Sequence, residues 1–134
     1  CGKCQICTEV AANRLIDINE IDAASNRGID EIRDLKEKIT FAPTLARYKV
    51  YIIDEVHMLT KEAFNALLKT LEEPPSHAVF ILATTELHKV PQTIISRCQR
   101  FQFHLAQKNQ LTELLRNVAK KEKINLTDSA LEFH

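Results

Sequence analysis

Two adjacent carboxylates, Asp54 and Glu55, directly follow the apolar run Val50-Tyr51-Ile52-Ile53. In open α/β sheets ligands gather at the carboxyl ends of strands, so a phosphate-bound Mg²⁺ would be met here. Asp54, directly or through water, would hold the metal, and Glu55 would polarise the water that attacks a terminal phosphate. Two carboxylates are needed because one that neutralises a metal is a poor base. The plainer alternative is an acidic pair that ends a strand and faces solvent. Thr84 and Thr85 follow the next apolar run, Ala78 to Ala83. If the two strands are parallel neighbours, both hydroxyls lie near the same site, where they could position water or touch the terminal phosphate. A β-branched Thr is also an ordinary strand-end residue.

Arg97 sits in Ser96-Arg97-Cys98, a stretch with no apolar partner for it. Its planar, permanently charged fork could reach a phosphate in a neighbouring subunit, the alternative being a solvated surface arginine. Cys98 reads as a small buried hydrophobe. Cys1, Cys4 and Cys7 form a C-x-x-C-x-x-C run. Thiolates at this spacing can grip one tetrahedral Zn²⁺, but a closed structural site takes four ligands, so the fourth is expected before Cys1. An iron–sulfur site uses the same ligand and stays open as an alternative, and chance clustering is the plain one. His57, His77, His88, His104 and His134 have no metal-ligand spacing and read as surface or satisfied histidines.

The elements that must position these groups alternate between short apolar runs and amphipathic stretches, the pattern of βα units and a mostly parallel sheet. A helical tail is expected over Glu9 to Arg14, then a strand from Leu15 to Ile21 closed by Ala23 to Asn26. Gly28 opens a helix with Ile29, Ile32, Leu35 and Ile39 on one stripe, Asp30 and Glu31 in its first turn and Lys36 and Lys38 in its last, as the helix dipole favours; Pro43 stops it. Lys49 to Asp54 contains Val50, Tyr51, Ile52 and Ile53 in succession, a continuous apolar run that predicts a central strand covered on both faces. Thr60 caps a helix through Glu73 whose Ala63, Phe64, Leu67, Leu68 and Leu71 face one way, and Pro74-Pro75 end it. A strand follows over Ala78 to Ala83, then a short helix over Gln92 to Ile95. The alternation of Phe101 and Phe103 predicts a further strand, and Leu111, Leu114, Leu115 and Val118 a final helix. Thr127-Asp128 looks like the cap of one more.

Composition narrows the classes. With 134 residues, 18 Lys+Arg against 18 Asp+Glu and 45% hydrophobic content, the chain can bury a real core without disulfides. With only 2 Gly and 4 Pro, it is neither collagen-like nor low-complexity. A net charge of zero removes the basic footprint that would hold a chain on nucleic acid by electrostatics alone, so any DNA contact must be local. No apolar run approaches the ~20 residues of a membrane span and no leader is visible, which predicts a cytoplasmic protein without a membrane partner. A start inside the cysteine run and a stop inside an incipient helix suggest a piece of a longer chain.

Taken together, the stretches Ile21-Asp22-Ala23-Ala24-Ser25, Tyr51-Ile52-Ile53-Asp54-Glu55-Val56-His57-Met58-Leu59, Asn65 to Pro75 (NALLKTLEEPP), Leu82-Ala83-Thr84-Thr85 and Ser96-Arg97-Cys98 occur in the order seen in bacterial clamp-loader ATPases. The chain resembles that family, a part of the AAA+ superfamily that serves DNA polymerase III, over nearly its whole length. The cysteine run points to the gamma/tau branch. The resemblance implies an α/β fold: an incomplete AAA+ P-loop NTPase core over residues 15–105, preceded by part of a zinc-binding module at 1–14 and followed by the start of a helical lid at 106–134. Asp54 and Glu55 are then the Walker B pair, with Asp54 facing Mg²⁺ and Glu55 the catalytic carboxylate. Thr85 is the sensor 1 residue with Thr84 as runner-up, and Arg97 is an arginine finger serving the adjacent subunit's ATP. Cys1, Cys4 and Cys7 become three of four zinc ligands.

One departure is clear: no G-x-x-x-x-G-K-[ST] occurs, and Gly2 and Gly28 alone build no phosphate-cradling loop. The 134-residue chain by itself is therefore expected neither to bind ATP tightly nor to hydrolyse it, and its sheet edge to invite pairing with another copy. The partners implied for the parent are other clamp-loader subunits, the sliding clamp, primer-template DNA and the replicative polymerase. Two other readings stand beside this one. Asp54-Glu55-Val56-His57 also fits the DExH box of superfamily 2 helicases, although these lack the SRC triplet and the LLKTLEEPP helix. A clamp-loader subunit that keeps the fold and the finger but has lost nucleotide binding is the non-enzymatic one.

Overall fold

The computed structural model of the chain describes residues 1–125, so the helix expected to start at Thr127 lies outside the described residues. The chain divides into two compact units, Cys1–Gln99 and Arg100–His134.

The first unit runs α1 (Gln5–Ala11), β1 (Ile18–Asp22), α2 (Ile29–Ile39), β2 (Lys49–Asp54), α3 (Lys61–Glu72), β3 (Ala78–Leu82) and α4 (Gln92–Ile95). The three strands form one parallel sheet in the order β1-β2-β3, with β2 in the middle as its unbroken apolar run predicts. The register sets Asp22 beside Asp54 and Ile53 beside Leu82. Parallel neighbours need crossovers, and α2 and α3 supply them. Tyr51 and Ile53 of β2 are buried, as are Ile32, Leu35 and Ile39 of α2 and Ala63, Phe64 and Leu67 of α3, so sheet and helices share one core.

Each helix starts and stops where its residues dictate. Gly28 caps α2 in extended conformation, with Asp30 and Glu31 in the first turn and Lys36 and Lys38 in the last. At α3 the Thr60 hydroxyl accepts the Ala63 N–H at 3.2 Å, a cap worth about 1 kcal/mol. That helix ends at Glu72, just before the two prolines.

Four expectations are corrected. β1 starts at Ile18 instead of Leu15, because Asp17 is buried and an ionised side chain inside the protein must collect donors. It accepts the N–H groups of Thr44, Leu45 and Ala46, each at 2.7 Å, and the chain turns at 15–17 to let it. The first helix covers Gln5–Ala11 instead of Glu9 to Arg14, since Asn13 takes the left-handed conformation (φ 52°) that ends it. Phe101 and Phe103 are exposed and form no strand; alternation supplies faces, but a strand exists only through a ladder partner. Cys98 is exposed, not buried.

In the second unit α5 (Lys108–Glu122) is opened by a reciprocal cap, the Gln107 N–H donating to Gln110 Oε1 at 2.9 Å, and closed by Lys123 at φ 58°. No described helix is long and apolar enough to cross a membrane.

Candidate active site

Three backbone hydrogen bonds gather the carboxyl ends of the sheet. The Ala23 N–H donates to Asp54 O, the Ala83 N–H to Ile53 O and the Val56 N–H to Ala83 O, each at 2.9 Å. The residues after β2 and β3 therefore run side by side, as the sequence requires if Asp54, Glu55, Thr84 and Thr85 are to meet. Glu55 has left-handed backbone angles, φ 46° and ψ 44°. For a non-glycine residue this costs on the order of 1–2 kcal/mol. It turns the chain out of β2 into the 3-10 turn Val56–Met58 and brings the Glu55 carboxylate to Thr85.

Glu55 Oε2 accepts the Thr85 hydroxyl at 3.0 Å and the Thr85 backbone N–H at 3.3 Å, while among the described residues Oε1 has only a longer share of that hydroxyl at 3.3 Å. Asp54 is exposed; its Oδ1 accepts the Glu55 N–H at 2.9 Å, and its other oxygen makes no hydrogen bond among the described residues. Thr84 faces elsewhere. Its hydroxyl oxygen accepts the Glu86 N–H at 3.0 Å and lies 2.9 Å from His57 Nδ1.

His57 and Glu86 belong to this cluster, and the sequence reading gave them no role. The His57 side chain is 6% exposed, with Nδ1 at 3.1 Å from Glu55 Oε2 and Nε2 at 3.2 Å from Glu86 Oε2. Glu86 also pairs with Lys89. The bonded Lys89 ammonium holds the Glu86 carboxyl below its ordinary pKa; burial opposes the shift, and the charges of Lys89, His57 and His88 assist it. The available signal was the position of His57 itself, on the turn that follows the acidic pair. Reading it as a satisfied histidine agrees with its contacts but overlooks what satisfies it.

Arg97 is bonded away from this cluster, on its own chain. Its Nη1 donates to Thr93 O at 2.6 Å and its Nη2 to Glu72 Oε1 at 2.5 Å. The three N-terminal cysteines do converge: the sulfurs of Cys1, Cys4 and Cys7 all lie within 4.8 Å of one another, and those of Cys1 and Cys7 are 3.8 Å apart. Tetrahedral zinc with bonds of ~2.3 Å has S···S edges of about 3.8 Å, so the donor set fits three corners of such a site. The Cys7 thiol is held below its ordinary pKa, first by a hydrogen bond with the Gly2 backbone and then by Cys4, with burial opposing.

The profile of the DNA polymerase III, delta subunit family matches residues 1–108. The chain belongs to that family. Within the DNA polymerase III group its relatives include the tau subunit of Bacillus subtilis strain 168, 53% identical over 99% of this chain and 24% of the relative. The gamma subunit of Buchnera aphidicola subsp. Schizaphis graminum is 47% identical over 99% of this chain and 37% of its own length. The tau subunit of Escherichia coli K12 is 46% identical over 99% of this chain and 21% of its own. The chain thus spans between about a fifth and two fifths of these curated relatives.

Among solved structures, a DNA polymerase III gamma subunit-related protein of Thermotoga maritima superposes with TM-score 0.67 at 33% identity, over 78% of this chain and 36% of that one. The Thermotoga maritima RuvB Holliday junction branch migration motor superposes with TM-score 0.70 over 97% of this chain and 43% of its own, at 19% identity, a likeness of fold alone. The expected α/β AAA+ architecture, a parallel sheet flanked by helices, is the architecture observed in this polymerase III family member.

The residues present fit one half of a metal–phosphate site. Asp54 offers an unbonded carboxylate oxygen at the sheet end, and Glu55 stands beside it with one oxygen lightly engaged. The other half, a glycine-rich phosphate loop, is not among these 134 residues.

Proposed function

We propose that this chain carries the Walker B and sensor part of an ATPase motor subunit in a bacterial DNA polymerase III clamp loader. The observation that supports this best is the Asp54–Glu55 pair, held at the end of the central strand with the Glu55 carboxylate bonded to Thr85. In the parent, Mg²⁺-bound ATP supplies an electrophilic terminal phosphate. Asp54 faces the metal, Glu55 orients and deprotonates water, and Thr85 reports the phosphate state through its bond to Glu55. Arg97 serves the ATP of the adjacent subunit, so nucleotide state couples to interface geometry. Cys1, Cys4 and Cys7 hold a structural zinc with a fourth thiolate from outside this sequence.

The parent works in the cytoplasm with other loader subunits, the sliding clamp, primer-template DNA and the replicative polymerase. Residues 1–14, 15–105 and 106–134 are its partial zinc module, ATPase core and the beginning of a lid. The 134-residue chain alone lacks a phosphate cradle and neither binds ATP tightly nor turns it over; turnover by the purified chain rejects that statement.

The test of the reading is Glu55→Gln in the full-length subunit. Loss of a general base costs at least about 100-fold in hydrolysis while ATP affinity is kept. Normal turnover in that variant overturns the role of Glu55.

A further inference from the structure

Resting on that reading, we infer that His57, seated by Glu86, is a positioning residue that fixes which oxygen of Glu55 is free to act on water. A carboxylate offers about four lone-pair directions, two on each oxygen. Glu55 Oε2 accepts two hydrogen bonds, from the Thr85 hydroxyl at 3.0 Å and the Thr85 N–H at 3.3 Å, and has His57 Nδ1 3.1 Å away on its other side. Oε1 has one hydrogen bond among the described residues, the shared Thr85 hydroxyl at 3.3 Å. The base therefore presents Oε1, and Oε2 is its anchored end. The anchor is two-sided, Thr85 approaching from the end of β3 and His57 from the turn after β2.

The imidazole can do this because it is itself fixed at both nitrogens. Nε2 faces Glu86 Oε2 at 3.2 Å, and Lys89 pairs with that same carboxylate. Nδ1 is 2.9 Å from the Thr84 hydroxyl, whose oxygen is held in turn by the Glu86 N–H. With the side chain 6% exposed, water does not compete for these contacts and a ring flip would break all of them. The hydrogen bond of Nδ1 is to the Thr84 hydroxyl, and that bond holds the polar edge of the ring against Glu55 Oε2 at 3.1 Å. A base misplaced by about 1 Å can lose on the order of 10²-fold in rate, the scale at which such a device matters.

The test compares His57→Phe with His57→Asn in the full-length subunit within its assembled complex. Phe keeps the ring volume and removes both nitrogens; Asn keeps an N–H donor where Nδ1 stands and leaves a void. The inference expects kcat to fall roughly 10- to 100-fold in the Phe variant with ATP affinity unchanged, and Asn to recover most of the loss. Melting temperature should rank the variants the opposite way. A Phe variant with normal kcat overturns the inference, and so does loss of activity that simply follows loss of stability.

A second readout needs no nucleotide. In protein labelled with ¹⁵N-histidine, the Nδ1 resonance of His57, identified by its disappearance in His57→Phe, should move in Glu55→Gln; an unmoved resonance rejects the contact. The two claims also fail separately. Normal hydrolysis by Glu55→Gln removes the proposed function, whereas an inactive Glu55→Gln beside a fully active His57→Phe removes only the part given to His57.

Discussion

Arg97 and Glu72 form an ion pair that ties the last turn of α3 to the end of α4, with Nη2 2.5 Å from Oε1 and both side chains partly exposed. Exposed pairs contribute about 0–1 kcal/mol, so this one adds little to stability. Arg97→Ala and Glu72→Ala should each lower the unfolding free energy by less than about 1 kcal/mol in denaturant titrations. An arginine that reaches a neighbour's phosphate matters far more to rate. Arg97→Ala should lower the ATPase of the assembled loader by about 10³-fold while the subunit's own ATP affinity holds. An equal loss of rate in the isolated subunit would show that Arg97 does not act in trans.

Asp17 controls a different property, acid stability. Burial is the largest single influence on its carboxyl and opposes ionisation, but the N–H groups of Ala46, Thr44 and Leu45 and the charge of Lys49 outweigh it and leave the pKa below the ordinary value. A folded-state pKa that is depressed gives stability that is fully present above the unfolded value and lost as pH falls through the folded one. The wild-type chain should therefore weaken below about pH 4, and Asp17→Ala should weaken less over the same interval. At neutral pH that variant should already be less stable by about 2 kcal/mol, because donors on 44–46 lose a charged acceptor, although the exposed ones can turn to water. Thermal melts of both proteins across the acid range decide it. Parallel curves would mean that Asp17 is not depressed.

Asp17 also marks where sequence reading stops. Lys49 to Asp54 is legible as a central strand because its unbroken apolar run, Val50 to Ile53, suits a position covered on both faces. Once the strands on either side of α3 are read as parallel neighbours, Asp54, Glu55, Thr84 and Thr85 have to meet. Asp17, by contrast, sits in an apolar stretch that looks extended, and its three donors come from a loop far along the chain. His57 is similar: the sequence puts it after the acidic pair, but Glu86, its second partner, is contributed by the turn after β3. Local pattern predicts elements well; it does not say which polar side chains from distant loops will close on one another. Phe101 and Phe103 show the reverse error, a local pattern with no partner strand among the described residues to complete it.

The cysteine cluster gives a metal prediction independent of nucleotide. With Cys1 and Cys7 sulfurs 3.8 Å apart and Cys4 alongside, the full-length subunit should bind one zinc per chain, and cobalt put in its place should give the intense thiolate charge-transfer bands of a tetrahedral site. Cys4→Ser should abolish both. Cys98 is exposed and not part of the cluster, so Cys98→Ser should leave metal content unchanged. Stoichiometric zinc in Cys4→Ser would rule out this ligand set.

The core itself holds a polar atom with nothing to bond. Tyr51 is 1% exposed, its ring is stacked on Phe80 with centroids 5.6 Å apart, and its hydroxyl has no hydrogen-bond partner among the described residues. Burial accordingly pushes its pKa up. An unpaired buried hydroxyl costs about 1–3 kcal/mol, while the ring around it contributes packing that phenylalanine would retain. Tyr51→Phe should therefore raise the unfolding free energy by about 1 kcal/mol at an unchanged denaturant slope. Thr70, whose hydroxyl is likewise buried without a partner among the described residues, should respond the same way to valine. Since Tyr51 lies on the strand that delivers Asp54, the Phe variant also asks whether a tighter core disturbs the site, and ATPase activity in the full-length subunit should be unaltered. Destabilisation by Tyr51→Phe would mean that the hydroxyl is satisfied after all, by water or by a group outside the described residues.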